Sequence, residues 1–300
     1  MARIPKGQTG FLRNSPAVRS VLAPNSSVMT GAGTNTYILG EGRVAVIDPG
    51  PAIDSHLAAI LAALHPHESI SHIFVTHAHL DHSALAAALS RVTGAPIHAF
   101  GSAMTGRSTR MQALASRLKI GGGEGVDHAF CPDIFLPDGA TVYGETWRVE
   151  AMHTPGHMGN HLCFAAQDTL FSGDHVMGWS STLISPPDGD KADYMASLQK
   201  LATRKWHRFL PGHGNAIEDP AQRLADLAAH RIGRDAALMA ALGQGASGIA
   251  QLARVVYVDL DLALLPAAHR NVLAHLIDLE ARKLITASPY PNFDAVFRLA

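Results

Sequence analysis

The sequence predicts an α/β protein, in which a layered domain of strands and helices is followed by a small helical unit. Three observations carry this reading. Between residues 35 and 100, short apolar runs of strand type alternate with segments of helical spacing. From Thr141 the pattern turns mainly to strands, and after Glu218-Asp219-Pro220 helical segments take over.

Taken in order, Asn35 to Leu39 and Arg43 to Asp48 are two strands joined at Gly40-Glu41-Gly42, a hairpin signal. Asp54 to Leu64 has helical spacing and ends near His65-Pro66, where proline disfavours continuation. Ile73 to Val75 is a compact strand-type run. Ser83 to Val92 is an alanine- and leucine-rich helix that stops at Gly94, and Ala95 to Phe100 is the next strand. Ser102 to Gly125 is irregular and carries Arg107, Arg110, Arg117 and Lys119 before Gly121-Gly122-Gly123-Glu124-Gly125. The spacing that a phosphate-binding P-loop needs is absent, so a flexible surface segment is expected. Thr146 to Met152, His161 to Ala165, Thr169 to Ser172 and Arg208 to Pro211 are strands, with a helix over Asp193 to Leu201. His230 to Leu242, Ile249 to Val258 and Ala267 to Leu284 are helical, and Leu284 to Leu299 suits a short hairpin. A boundary near residue 220 divides a domain over 1–219 from one over 220–300.

Composition narrows the function. The 300 residues are 47% hydrophobic and 16% charged, enough apolar material for a buried core. A formal net charge of -1 offers no global basic field for nucleic acid. The segment after Ala221 is also near neutral, which favours packing or dimerisation there over gripping a duplex. Two cysteines, Cys131 and Cys163, make no disulfide framework, and Met1 to Gln8 has no apolar core of a secretory signal. No apolar stretch approaches the roughly 20 residues of a membrane helix. A soluble, cytoplasmic protein is expected, with homo-oligomers open.

The chemistry lies in the histidines, 18 in all. His77-Ala78-His79-Leu80-Asp81-His82 follows a buried strand and opens a helix, placing four ligand-type side chains within six residues. Three more candidates follow an apolar run and a glycine: His157 in Thr154-Pro155-Gly156-His157, Asp174 in Phe171-Ser172-Gly173-Asp174, and His213 in Leu210-Pro211-Gly212-His213. Each is weak alone. Together they supply seven donors, five imidazoles and two carboxylates, enough for two metal ions.

These motifs, with Asp48-Pro49-Gly50 ahead of them, resemble the metallo-β-lactamase-fold hydrolases. The run Gly173 to Trp179, the segment Asp193 to Leu198 and the C-terminal helices look like the β-lactamase-like protein 2 group, in which a winged-helix-like domain follows the hydrolase. The resemblance implies an αββα sandwich with the site at the common strand edge. It also implies His77, His79 and His157 on one metal, Asp81, His82 and His213 on the other, and Asp174 bridging. Histidine at 79, where the redox-active diiron branch has glutamate, favours hydrolysis. The absence of a long insertion between Asp174 and His213 disfavours the nuclease branch with its extra domain.

Two divalent ions roughly 3.5–4 Å apart can hold a bridging hydroxide that attacks an electrophilic centre. Zinc suits a nitrogen-rich site, and iron and manganese accept the same donors. Asp81 is placed to take the nucleophile's proton. Asp48 is read as orienting a ligand, with closure of the Pro49-Gly50 turn as its alternative. His161 and Tyr194 are weaker candidates for touching substrate, against a backbone-bonded histidine and a packing tyrosine. His175 is read as pointing to the opposite face. His56, His65, His67, His72, His98 and His128 are taken as surface or loop residues. The leading expectation is a dinuclear hydrolase of a small-molecule ester or thioester. Beside it stand a single-strand endoribonuclease or phosphodiesterase, implied by the resemblance, and a nucleic-acid-binding module with a vestigial metal site.

Overall fold

The computed structural model describes residues 17–117, 120–245, 247–258 and 261–300. Eleven strands build two facing sheets. The first runs in spatial order β1 (Val18–Leu22), β2 (Asn35–Leu39), β3 (Arg43–Ile47), β4 (Ser69–Phe74), β5 (Ile97–Ala99) and β6 (Ile134–Phe135), antiparallel up to β3 and parallel beyond it. The second comprises β7 (Thr141–Tyr143), β8 (Arg148–His153), β9 (Leu162–Ala166) and β10 (Thr169–Gly173), all antiparallel, then β11 (Arg208–Pro211) parallel to β10. Helices α1 (Asp54–Ala62), α2 (Leu80–Ser83), α3 (Ala86–Thr93) and α4 (Thr109–Ala115) follow strands of the first sheet. After them come α5 (Lys191–Ala202), α6 (Pro220–Leu242), α7 (Ile249–Val256), α8 (Leu265–Ala281) and the hairpin β12 (Ile285–Ser288)–β13 (Val296–Leu299).

The period of two along each strand decides the layering. In β3, Ala45 and Ile47 face the second sheet, while Val44 and Val46 pack with Ile60 and Leu89 of α1 and α3. In β9, Leu162, Phe164 and Ala166 join that same inter-sheet core, and Cys163 and Ala165 pack with Tyr194 and Leu198 of α5. Strands apolar on both faces need helices on both outer sides, which gives the αββα sandwich.

Several boundaries differ from the sequence reading. The helix read over Ser83 to Val92 is two helices, with Gly94 ending the second in the left-handed region at φ +73°. Pro220 opens α6, where the Asp219 side chain accepts the Gln222 N–H, so the helix begins ten residues ahead of the expected His230. Strands β1, β6 and β7 were not expected.

The segment read as a flexible surface is a correction. It contains α4, whose Met111 and Leu114, with Ile120, belong to the core built by α7, α8 and the terminal hairpin. Its arginines are committed too: Arg107 pairs with Asp188, Arg110 with Glu280, and Arg117 lies 4.7 Å over the Tyr290 ring. Lys119 lies outside the described residues. Among the described residues, no helix is long and apolar enough to cross a membrane.

The C-terminal helices dock through a buried charge cluster. Lys191 Nζ at the start of α5 donates to Asp235 of α6 at 2.6 Å and to Asp278 of α8 at 2.7 Å, and Arg282 reaches both carboxylates at 3.1 Å. His275 Nδ1 lies 2.6 Å from the other Asp235 oxygen. Burial, opposed by that hydrogen bond and reinforced by the Arg231 and Lys191 charges, pushes His275 down to about 4 from 6.5. Burial works the other way on Asp235, but His275 and Lys191 hold it down to about 2.

A histidine kept neutral by folding contributes stability that is complete above pH 6.5 and lost as pH falls through about 4. Asp235 extends the loss toward pH 2. The expected cost at His275 is about 3 kcal/mol. Urea midpoints at pH 7 and pH 4.5 should therefore lie closer together in His275→Asn than in the unsubstituted chain. An equal pH dependence in the two would contradict the assignment.

Candidate metal centre

Every candidate donor sits just beyond the C-terminal end of a strand. Strands β3 and β4 run parallel, and β8, β10 and β11 share one direction, so all five endings reach the same edge of the sandwich. In open α/β sheets this edge is where ligands bind.

Asp48, immediately past β3 and in the left-handed region at φ +51°, organises the first loop. Its Oδ1 accepts the Thr76 N–H at 2.7 Å, and its Oδ2 accepts the Thr76 hydroxyl at 2.8 Å and His82 Nδ1 at 2.9 Å. Thr76, having donated to Asp48, is left to accept from His77 Nδ1 at 2.9 Å. The other outward nitrogens are answered by carbonyls: His157 Nδ1 by Leu183 O at 2.7 Å and His213 Nδ1 by Gly33 O at 3.1 Å. An imidazole that gives its N–H outward presents a bare lone pair on Nε2, the tautomer a metal requires.

Those lone pairs converge. His77 Nε2 and His157 Nε2 each lie 3.0 Å from His79 Nδ1. His213 Nε2 is 3.2 Å from Asp81 Oδ2, 3.4 Å from Asp174 Oδ2 and 3.3 Å from His82 Nε2. His82 Nε2 is 3.4 Å from Asp174 Oδ1. Three overlapping groups have donor atoms within 4.8 Å of one another: His77, His79 and His157; His77, His82 and Asp174; and Asp81, His82 and His213. All seven sequence candidates are thus brought together. Nitrogen-rich on one side and carboxylate-bearing on the other, the set has the chemistry of two adjacent divalent-ion sites.

The charges divide the same way. Burial, with neighbouring imidazoles, holds His77 well below its usual range and His79 down to about 3, and burial lowers His157. Burial opposes ionisation of Asp81, yet His82 and His213 bring it down to about 2. Against burial, Asp174 and Asp81 raise His82, helped by Asp48, and lift His213 to about 10. The side of the pocket that holds the carboxylates thus favours positive charge.

The remaining candidates resolve into support. Asp48 is 2% exposed and orients His82 as well as shaping its own turn. His161 is fully buried, with Nδ1 3.0 Å from the Thr154 hydroxyl and its ring 5.2 Å from that of His77, so it lies behind the donors rather than facing substrate. Tyr194 is fully buried, 4.7 Å from the His175 ring, and packs. His56 and His98 are corrections: both are buried, His56 Nε2 against the Thr36 hydroxyl at 2.8 Å and His98 between strands beside Phe74. Thr182 and Leu183, missed in the sequence, belong to a loop without periodic pattern. Thr182 Oγ1 donates to the Asp174 carbonyl at 2.5 Å.

The Metallo-beta-lactamase superfamily model matches residues 29–213, and the Beta-lactamase associated winged helix domain model matches residues 249–288. The chain belongs to the metallo-β-lactamase superfamily and is a metal-dependent hydrolase. It is 32% identical to a Beta-lactamase-like protein 2 homolog of Drosophila melanogaster, over 93% of this chain and 92% of that protein. It is 33% identical to the Atrochrysone carboxyl ACP thioesterase of Aspergillus fumigatus, over 70% of this chain and 60% of that protein. A metallo-β-lactamase family protein of Thermus thermophilus shares the fold at TM-score 0.75 and 21% identity, covering 94% of this chain and 98% of that one.

Gly212 tests the convergence. A Cβ there would lie 2.6 Å from both Asp174 Oδ1 and His82 Cε1, at a position where its φ is ordinary for any residue. Gly212→Ala is expected to lower metal affinity about 10–100-fold while the chain stays folded. Chelator competition alongside circular dichroism measures both, and unchanged affinity in the folded variant would contradict the geometry.

Proposed function

We propose that the chain is a dinuclear hydrolase of small esters or thioesters with an apolar acyl group. The observation that carries this is a cavity of about 190 Å³ beside the donor cluster. Met177, Trp179, Leu183, Tyr257, Leu264 and Ala268 line it, and its polar members, Ser180, Ser181 and Asn271 among them, are all uncharged. An apolar cavity of about 150 Å³ holds a benzene ring, so this one suits a short acyl chain or a single ring. The cavity adjoins the site through Leu183, whose carbonyl holds His157, and through Trp179, which packs on Gly214 next to His213. A relative that is itself a thioesterase lends weight to the acyl reading.

Under this reading, residues 1–219 form the hydrolase unit and 220–300 the winged-helix-like unit that walls the cavity. His77, His79 and His157 would hold one ion, Asp81, His82 and His213 the second, with Asp174 between them. Zinc is favoured by the nitrogen-rich trio. Two bound ions would supply an acidified water and a Lewis acid for the scissile carbonyl oxygen. The apolar wall holds the acyl group and excludes water from that side. Asp81, whose side chain is 29% exposed against 11% for Asp174, is the carboxylate more open to the attacking water, and its Oδ2 takes the water's proton.

The ribonuclease reading lacks comparable support. Arg107, Arg110 and Arg270 are paired with Asp188, Glu280 and Glu124, and Arg223 and Arg231 are turned onto carbonyls of the loop after Asp174.

Metal-reconstituted protein assayed against thioesters, esters, lactones, phosphodiesters and short RNA tests the substrate class. Acyl compounds should turn over and RNA should not, and the reverse ranking would overturn the reading. On the best substrate, Asp81→Ala is expected to lower kcat about 10²–10⁴-fold. Tyr194→Phe should leave metal content intact. Near-normal turnover in Asp81→Ala would remove Asp81 from the proton's path.

A further inference from the structure

Between Asp174 and the start of α5 the chain forms no helix or strand, although it carries two anchors of the donor cluster. Leu183 O holds His157 Nδ1, and Thr182 Oγ1 donates to the Asp174 carbonyl and lies 3.3 Å from that same nitrogen. Fixing irregular backbone costs about 1–2 kcal/mol per residue, so something must hold this loop.

The restraint comes from the C-terminal helices, almost residue by residue. Arg223 donates to Met177 O at 2.7 Å and Ser180 O at 2.6 Å. Arg231 Nη2 donates to Thr182 O at 2.5 Å, and its Nη1 donates to Asn271 Oδ1 at 3.2 Å. That same Asn271 oxygen accepts the Ile184 N–H at 3.1 Å, and Arg270 reaches Pro186 O at 3.3 Å. Arg231 stands out because it is fully buried, with its guanidinium 5.2 Å over the Tyr194 ring. Arginine is almost never fully buried unless paired with an acid. Among the described residues Arg231 has no carboxylate partner, and its charge is spent on a carbonyl and an amide oxygen.

We propose that Arg231, with Asn271, is a positioning residue for the metal centre: the C-terminal unit holds Thr182 and Leu183 in place and through them orients Asp174 and His157. This rests on the reading of those two side chains as metal ligands. The C-terminal unit is then an outer wall of the metal centre rather than an attachment beside it. The loop it grips is also a wall of the apolar cavity, so one set of contacts serves both metal and acyl group.

The test uses the full chain and reads metal binding rather than activity alone. Zinc affinity by chelator competition and the visible spectrum of the cobalt-loaded protein are measured for Arg231→Met, Arg231→Lys and Leu276→Ala. Leu276 is a fully buried member of the C-terminal core with no contact to the loop among those above. Arg231→Met should lose about 10–100-fold in zinc affinity and shift the cobalt spectrum, with partial recovery in Arg231→Lys. Leu276→Ala should lower Tm and leave affinity unchanged. Wild-type affinity in Arg231→Met, or an equal loss in Leu276→Ala, would overturn the proposal. Should Arg231→Met fail to fold, Thr182→Val breaks the same line at its other end: a weakened zinc site supports the proposal and an unchanged one refutes it. An unsubstituted chain that binds no zinc or cobalt would instead remove the metal reading itself.

Discussion

Buried imidazoles and carboxylates cannot be gathered out of water unless the outward atoms of the rings find fixed partners. An unpaired buried polar group costs on the order of a few kcal/mol, and an unpaired buried charge far more. Here the Nδ1 atoms of His77, His82, His157 and His213 meet Thr76, Asp48, Leu183 and Gly33. Those four partners come from the loop between β1 and β2, the ends of β3 and β4, and the loop after β10. The donor cluster therefore forms only when both sheets and their connecting loops are closed together. Converging donors also act on one another: burial and neighbouring imidazoles lower His77 and His79, while the adjacent carboxylates raise His82 and His213.

The fold makes that closure possible by bringing five strand endings to one edge. Glycines let the backbone pass close to the residues that back the donors: at Gly173, with φ +49°, a Cβ would fall 2.7 Å from His161 Nε2 and 2.9 Å from Thr76 Oγ1. The C-terminal helices complete the enclosure. Lys191 ties α5 to α6 and α8 through two buried aspartates, while Arg223, Arg231 and Arg270 grip the loop that precedes it. Several basic groups of this unit are thus directed inward rather than toward a polyanion.

What the sequence made legible follows from locality. The donors of the first cluster lie within six residues, and the other three follow Pro-Gly or Ser-Gly at strand ends, so their chemistry shows without coordinates. The unbroken apolar runs of β3 and β9 are likewise what strands buried on both faces require. The parts that stayed hidden depend on distant partners. Nothing near Met111 and Leu114 says that their helix packs against residues beyond 237, so the segment reads as loose. His56 and His98 look like surface residues because the contacts that bury them come from other strands. Thr182, Leu183 and Arg231 belong to no motif, since their roles are set by which atoms lie across the loop.

The proposed function requires this donor set to hold two ions. Elemental analysis of the full chain, reconstituted with zinc and freed of loose metal, tests it most directly when run beside a variant lacking His79 and His213. Two ions per chain are expected in the unsubstituted protein and fewer than one in the variant. One ion or none in the unsubstituted protein after reconstitution, or two retained by the variant, would contradict it.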